Sequence, residues 1–313
     1  MFKSLPALTA DVRGSQLSIE KKIPTFKSHV GELEYLAAYD ATMKQWPVPY
    51  EEIYVPTRFG ATHVIASGPK DAGSIILLHP SGSSATVWCR NVGPLSKHFR
   101  TLAVDTISEP NKSILSRAID KRHQRVDFAD WMADLFNGLG IEGAHLVGNS
   151  FGGFLALNTA FYLPHKVRKC VLISPAATFL QIWPWYWHFL PAGVVGSLTG
   201  SKRIFLRAYE WIWQDFPIEE HLSRLRTINA IEGRPRHSFP TVFSDDELHK
   251  IRTPILLLVG DHEVIYEPER VIRQASRAIA GLKAKIILNA NHNAEYTAAD
   301  AVNKEIEEFL LEQ

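Results

Sequence analysis

The sequence predicts an α/β fold in which helices flank a mostly parallel central sheet. Short, continuous apolar runs bounded by turns recur along the chain, as expected of strands that are covered on both faces. Segments with helical apolar periodicity lie between these runs, where parallel strands need crossover connections. The 313 residues are 46% apolar, which is enough for one large core.

The first part of the chain is predicted to form an arm, a helix and a hairpin. Residues 1–30 lack periodicity and are expected to form an arm over the surface. A helix follows and ends at Pro47, with an inner face predicted to hold Leu33, Leu36, Ala37 and Met43. The β-rich runs EEIYVPTR and ATHVIASG, on either side of Phe59-Gly60, predict an antiparallel hairpin.

Six buried strands are predicted after the hairpin: SIILLH at 74–79, TLAVD at 101–105, AHLVG at 144–148, CVLIS at 170–174, PILLLVG at 254–260 and KIILNA at 285–290. The helix before AHLVG has an apolar stripe from Phe128 to Leu139, with Asp127 predicted as its N-cap and Gly140 as its end. Another helix starts near Gly152, and helices at 268–280 and 300–311 flank the last strand.

A long segment interrupts this alternation between Ser174 and Pro254, where a crossover normally needs far fewer residues. We therefore predict a core in two parts, residues 1–175 and 251–313, with an inserted helical cap at 176–250. Five of the eight tryptophans fall in this insert: Trp183, Trp185, Trp187, Trp211 and Trp213. Most of them are expected to pack inside the insert, and one or two to face a cleft beneath it.

Composition limits the partners and the compartment. With 34 basic and 33 acidic side chains, the formal charge of +1 provides no broad field for nucleic acid or an anionic membrane. A neutral or apolar small molecule is expected instead. Cys89 and Cys170 lack metal-ligand spacing and predict free thiols in a reducing compartment. Because no secretory or transmembrane-length apolar run occurs, we expect a cytoplasmic protein, and a net charge near zero leaves a homodimer open.

The stretch LVGNSFGGF, at 146–154, carries the main chemical signal. It contains the pattern G-x-S-x-G as Gly148, Ser150 and Gly152. One interpretation is an ordinary tight turn that contains a hydroxyl group. The other is a strained strand-to-helix turn that exposes a nucleophilic serine.

A serine nucleophile needs a base within hydrogen-bond reach, and the base needs an acid to orient it. These groups are expected at the carboxyl ends of the strands, where functional residues gather in such sheets. Asp261 and Glu263 follow one late strand, and His292 follows the last. The chain order of serine, acid and histidine favours the nucleophile interpretation of Ser150.

The GNSFGG motif, the Gly-Asp-His-Glu stretch and the late histidine resemble the α/β-hydrolase superfamily. The resemblance runs from about Glu34 to the C-terminus. Within this range the sequence is similar to bacterial serine carboxylesterases of the Bacillus naproxen-esterase type. It implies an α/β-hydrolase fold with a catalytic triad of Ser150, Glu263 and His292. The family spacing places Glu263 as the acid, although Asp261 stays an alternative.

The resemblance also implies an oxyanion hole made by the amides of Ser81 and Phe151. The superfamily commonly has His-Gly where this chain has His79-Pro80, and Pro80 has no amide hydrogen to donate. A second departure is the segment ISEPNKS after Asp105, which replaces a glycine-bounded loop.

The implied reaction is hydrolysis of carboxylic esters through an acyl-enzyme, with no cofactor and no metal. Aryl, arylalkyl or short- to medium-chain acyl esters are the expected substrates. A thioesterase, an amidase or a carbon–carbon bond hydrolase could use the same triad. A ligand-binding receptor or scaffold that retains the triad is the alternative from another class.

Four further polar residues receive supporting roles. His79 is expected to be a buried hydrogen-bonding support for its loop, and Asp105 to brace neighbouring loops. Asn149 is expected to bond locally or to touch a substrate, and His262 to lie on the surface.

Overall fold

The computed structural model describes residues 22–182, 187, 191, 195, 210–214 and 216–312. Within these residues one sheet contains nine strands: β1 (Tyr50–Thr57), β2 (Gly60–Ser67), β3 (Ser74–Leu78), β4 (Arg100–Val104), β5 (Ile114–Leu115), β6 (Ala144–Asn149), β7 (Val167–Ile173), β8 (Ile255–His262) and β9 (Lys283–Asn291).

The strand order is β1-β2-β4-β3-β6-β7-β8-β9, and the short β5 pairs with β2. From β4 to β9 every neighbouring pair is parallel. At the other end β2 pairs antiparallel with both β1 and β4. The predicted hairpin and the mostly parallel sheet are therefore confirmed.

The helices are α1 (His29–Met43), before the first strand, α2 (Val92–Leu95), α3 (Gln124–Gly138), α4 (Phe151–Tyr162), α5 (Glu220–Glu232), α6 (Asp245–Leu248) and α7 (Pro268–Ala278), between strands, and α8 (Ala294–Thr297) and α9 (Ala299–Leu311), after the last strand. Short 3-10 turns lie at Ala85–Arg90 and Pro164–Lys166. None of the helices in the described part of the chain combines the length and apolar character that crossing a bilayer requires.

Two apolar layers cover the two faces of the sheet. Alternate residues of β3 point into different layers, Ile76 and Leu78 into one and Ile75 and Leu77 into the other. The first layer is closed by α3, α4 and α7, and the second by α1 and α9. Burial on both faces explains why the central strands have continuous apolar sequences.

The inner face of α1 differs from the predicted one. Its fully buried large side chains are Tyr35 and Tyr39, whereas Leu33 is 53% exposed. Tyr39 donates a hydrogen bond to Asp105, so the buried face is selected by a polar contact as well as by apolar area. Of the four predicted residues, Met43 is buried as expected, Leu36 is half-buried, and Leu33 and Ala37 are exposed, so the aliphatic spacing identified only the end of the inner face.

The start of α3 also corrects the sequence interpretation. The helix begins at Gln124, and Asp127 is inside its first turn instead of at the N-cap. The Asp127 carboxylate accepts the amide hydrogen of Asp120 at 2.7 Å, which ties the preceding turn to the helix. Gly140 ends the helix as predicted: its φ is +67°, and its amide bonds back to Asn137.

The described part of the insert packs against the N-terminal segment. Phe26 forms a bridge with Gly233, and the amide of Lys27 donates to the carbonyl of Glu232 at the end of α5. Of the arm predicted for residues 1–30, residues 1–21 lie outside the described residues, as do Trp183 and Trp185, and His29 and Val30 already belong to α1. Trp187 is 74% exposed.

Candidate active site

Ser150 occupies the sharp turn between β6 and α4. Its φ of 53° and ψ of −114° are unusual for a residue with a side chain, as expected of a strained turn. A Cβ atom on Gly148 would come within 2.1 Å of the Gly152 carbonyl oxygen, and one on Gly152 within 2.0 Å of the Leu78 carbonyl oxygen. Both glycines of the motif are therefore required by close backbone contacts, and the prediction of a strained elbow is confirmed.

The structure brings Ser150, His292 and Glu263 into one line of hydrogen bonds. The Ser150 hydroxyl lies 2.9 Å from Nε2 of His292. Nδ1 of the same ring lies 2.9 Å from each carboxylate oxygen of Glu263. Because a carboxylate accepts at Nδ1, the hydrogen is on that atom and Nε2 is left to accept the serine proton. The three residues follow β6, β8 and β9 at the same edge of the sheet.

The Glu263 carboxylate and the His292 imidazole shift the pKa of each other. Burial opposes protonation of His292, but the facing Glu263 carboxylate outweighs it and raises the pKa of His292. Burial alone would raise the pKa of Glu263, yet the attraction of His292 and the hydrogen bond from the Ile265 amide lower it. Glu263 is thereby kept ionised, as an orienting acid must be.

Asp261 has a different set of contacts. Its carboxylate accepts the amide hydrogens of Asn289 and Ala290 at 3.1 and 3.0 Å. Nδ1 of His262 lies 2.8 Å from the same carboxylate, and both side chains are partly exposed. Asp261 fastens β8 to β9, and the position beside His292 belongs to Glu263.

Two loops provide candidate oxyanion donors. Phe151 is the first residue of α4, so its amide has no acceptor within the helix. On the loop after β3, Pro80 has no amide hydrogen, and the Gly82 amide donates to Glu109 at 3.2 Å. Among these three loop residues, the amide of Ser81 is left as the candidate donor. Ser81 and Phe151 both line the cavity next to Ser150 and His292.

The cavity above Ser150 is largely apolar and has a volume of about 320 Å³. Its apolar lining includes Val87, Ile212, Trp213, Leu222, Leu225 and Ile265. Trp213, one of the five tryptophans of the predicted insert, therefore lines the cavity. Its ring packs edge-on against Tyr296 and carries the Arg226 guanidinium 4.0 Å above its centre.

His79 and Asp105 support the loops around the cavity, as predicted. Buried His79 places Nδ1 2.8 Å from the Pro80 carbonyl oxygen and accepts the Thr106 amide hydrogen at Nε2. Asp105 accepts from the Ala85 amide and the Tyr39 hydroxyl, and it faces Nδ1 of His63 at 2.9 Å. His262 is exposed, also as predicted.

Asn149 does not bond locally, contrary to the sequence interpretation. Its side-chain amide donates to Glu295 at 2.6 Å, which connects the elbow to α8 directly after His292. Glu295 is fully buried, and burial raises its pKa to about 7. Neither its burial nor its partner has a sequence signal, because the two residues are 146 positions apart.

In the part of the chain that the structure describes, no group of three or more histidine, cysteine or acidic side chains is placed to hold a metal ion. The chemistry available at the site is that of Ser150, its hydrogen-bonded partners and the surrounding amides.

Known proteins resemble this chain in sequence and in architecture. A family model described as "Alpha/beta hydrolase family" matches residues 75–305. Carboxylesterase YbfK of Bacillus subtilis (strain 168) is 38% identical over 287 residues, which cover 89% of this chain and 94% of that protein.

Solved structures of similar sequence have a similar fold. The crystal structure of carboxylesterase CesB (YbfK) from Bacillus subtilis has a TM-score of 0.82 and 37% identity, covering 90% of this chain and 98% of its own. Naproxen esterase (carboxylesterase NP) from Bacillus subtilis has a TM-score of 0.82 and 34% identity, with the same coverage. The fold, the elbow and these similarities together establish that the chain belongs to the alpha/beta hydrolase family.

Proposed function

We propose that this protein is a serine carboxylesterase in which Ser150, His292 and Glu263 form the catalytic triad. The observation that carries the proposal is the hydrogen-bonded line from the Ser150 hydroxyl through His292 to Glu263 at the wall of an apolar cavity. The relatives named as carboxylesterases, which match nine-tenths of the chain, support the choice of ester substrates.

The mechanism follows from the hydrogen-bond directions. His292 takes the Ser150 proton at Nε2 as the serine oxygen attacks the ester carbonyl carbon. The amides of Ser81 and Phe151 hold the oxygen that becomes negative, a contribution of about 3 kcal/mol for each donor. The imidazolium then gives its proton to the leaving alcohol, and water repeats the sequence on the acyl-enzyme.

The cavity determines which esters fit. Its mostly apolar lining and modest volume favour aryl, arylalkyl or short- to medium-chain acyl groups without charge. The insert at 176–250 acts in this proposal as a cap, since α5 and Trp213 supply part of the lining. No cofactor is required by this reaction.

Hydrolysis of p-nitrophenyl butyrate by wild type, Ser150→Ala and Ser116→Ala tests the proposal. Ser150→Ala should lower kcat by about a million-fold. Ser116→Ala, a serine-to-alanine change outside the cavity, should retain wild-type turnover. A wild-type protein that binds the ester without releasing nitrophenol would instead favour a ligand-binding role.

We also propose a cytoplasmic location. Cys89 and Cys170 are both free, as expected of a reducing compartment. A homodimer stays a prediction, which sedimentation at several protein concentrations would test.

A further inference from the structure

The loop ISEPNKS, which departs from the family pattern, places a carboxylate behind the oxyanion loop. Glu109 is fully buried, and its Oε1 atom accepts the Ser81 hydroxyl hydrogen at 2.5 Å. Its Oε2 atom accepts the Gly82 amide hydrogen at 3.2 Å. One carboxylate therefore holds the Ser81 side chain and the Gly82 amide, directly beside the Ser81 amide that is the candidate oxyanion donor.

A histidine from the segment after α5 faces the same carboxylate. Nε2 of His237 lies 2.8 Å from Oε1 of Glu109, and Nδ1 lies 2.9 Å from the Ser238 carbonyl oxygen. Because both ring nitrogens face acceptors, both carry hydrogen and the ring is an imidazolium. Burial opposes this charge, but Glu109 outweighs it and raises the pKa of His237.

The His237 ring also packs on a residue of the proposed oxyanion hole. It stacks on the Phe151 ring with centroids 4.3 Å apart and planes 8° apart. Phe128 contacts both rings edge-on. The Glu109–His237 pair thus touches the Ser81 loop on one side and the Phe151 side chain on the other.

The charge of Glu109 has a consequence for catalysis. An uncompensated carboxylate beside the Ser81 amide would repel the negative charge that develops on the substrate oxygen, and it would do so strongly in a dry site. The adjacent imidazolium cancels this repulsion. The pair can therefore fix the loop through two hydrogen bonds without placing a net charge next to the oxyanion.

We propose that Glu109 and His237 are positioning residues for the oxyanion hole: Glu109 fixes the loop through the Ser81 side chain and the Gly82 amide, and His237 neutralises Glu109 and braces Phe151. The proposal rests on the proposed esterase function and extends it to residues that do not touch the reacting atoms. It explains how a loop with proline after His79 can still present a fixed amide donor.

Removing the charge of His237 and removing the charge of Glu109 should have unequal effects on kcat. His237→Gln leaves an unpaired buried carboxylate at the oxyanion loop, so kcat should fall by about 100-fold, comparable to loss of one oxyanion donor. Glu109→Gln keeps one acceptor and removes the repulsive charge, so kcat should fall by only about tenfold. KM should change little in either variant, because the pair acts on the transition state.

The double variant Glu109→Gln/His237→Gln is the decisive experiment. Kinetics with p-nitrophenyl butyrate should place its kcat close to that of Glu109→Gln and about tenfold above that of His237→Gln, since no uncompensated charge is left. A double variant that is as impaired as His237→Gln, or more so, would mean that the pair only packs the loop and would overturn the proposal. Unchanged kcat in His237→Gln would overturn it equally.

Folding and the function itself are tested separately. Wild-type turnover and its loss in Ser150→Ala report on the esterase proposal independently of the pair. If His237→Gln does not fold, His237→Phe preserves the aromatic stack on Phe151 and removes the charge, and it should show the same rescue by Glu109→Gln. Affinity for a trifluoromethyl ketone, which forms an oxyanion on Ser150, should fall in parallel with kcat across the set; unchanged affinity would contradict the proposal.

Discussion

At the scale of single residues, the backbone conformation of Ser150 and the orientation of His292 make the Ser150 hydroxyl available for reaction. Its positive φ is held by the glycines on either side, whose lack of Cβ atoms lets β3, β6 and α4 approach closely. His292 then faces Ser150 with one nitrogen and Glu263 with the other. Together, the strained turn and the orientation of His292 place Nε2 of the imidazole where it can accept the hydrogen of the Ser150 hydroxyl.

The choice between the two acids can be tested by a matched pair of substitutions. Glu263→Gln removes the negative charge that orients and stabilises the His292 imidazolium, so kcat should fall by about 10⁴-fold. Asp261→Asn changes a carboxylate two positions earlier whose hydrogen-bond partners among the described residues are β9 amides and His262, so kcat should stay close to wild type. Steady-state kinetics that reverse this order would assign the acid to Asp261.

The pH dependence of kcat/KM depends on His292. Only the neutral ring can accept the Ser150 proton, and the facing Glu263, with the nearby Glu295, raises the pKa of His292. Activity should therefore be lost as pH falls through a value above about 6.5, the pKa of unperturbed imidazole. Glu263→Gln should move this limb to lower pH. A wild-type limb below pH 6 in a pH–rate profile would contradict the assignment.

At the scale of elements, strands were predicted better than helix faces. The central strands are buried on both sides, so their sequences are apolar throughout and their bounds differ by only a few residues from the predicted ones. Of the inner face predicted for α1 only Met43 is buried, because Tyr35 and Tyr39 supply its largest side chains and the Tyr39 hydroxyl finds its partner, Asp105, elsewhere in the fold. Periodicity records apolar area, and it misses burial that depends on a polar partner.

The short helix α8 has a testable effect on stability. Its buried Glu295 keeps a proton up to a pKa of about 7, whereas the unfolded group loses it near 4.5. Between these values the native state binds more protons, so its stability falls as pH rises. Glu295→Gln has no such titration and can still accept from Asn149. Its unfolding free energy relative to wild type should increase by about 2 kcal/mol between pH 5 and pH 8.

Urea unfolding of both proteins at the two pH values measures this difference. The comparison within each pH removes the contribution of all other titrating groups, which the two proteins share. A stability difference that does not change with pH would mean that Glu295 is ionised in the native state throughout.

At the scale of the whole molecule, the sheet brings distant residues to one edge. Ser81, Ser150, Glu263 and His292 each follow a different strand, and parallel strands direct all four to the same side. The convergence of a serine, an acid and a histidine could be predicted from the ends of the apolar runs, whereas the choice of Glu263 and of Ser81 came from the family resemblance. Glu109, His237 and Glu295 could not be predicted, since their roles depend on pairings between residues far apart in the sequence, which leave no periodic signal.

Whether this assembly makes Ser150 a nucleophile is tested by intact-mass analysis after reaction with a fluorophosphonate. A nucleophilic Ser150 should give one covalent adduct per chain, located on Ser150 by peptide mapping, and no adduct in Ser150→Ala. Labelling of His292→Gln should be slower, because the base is lost. A folded wild-type protein that stays unlabelled, or an adduct on another residue, would contradict the account.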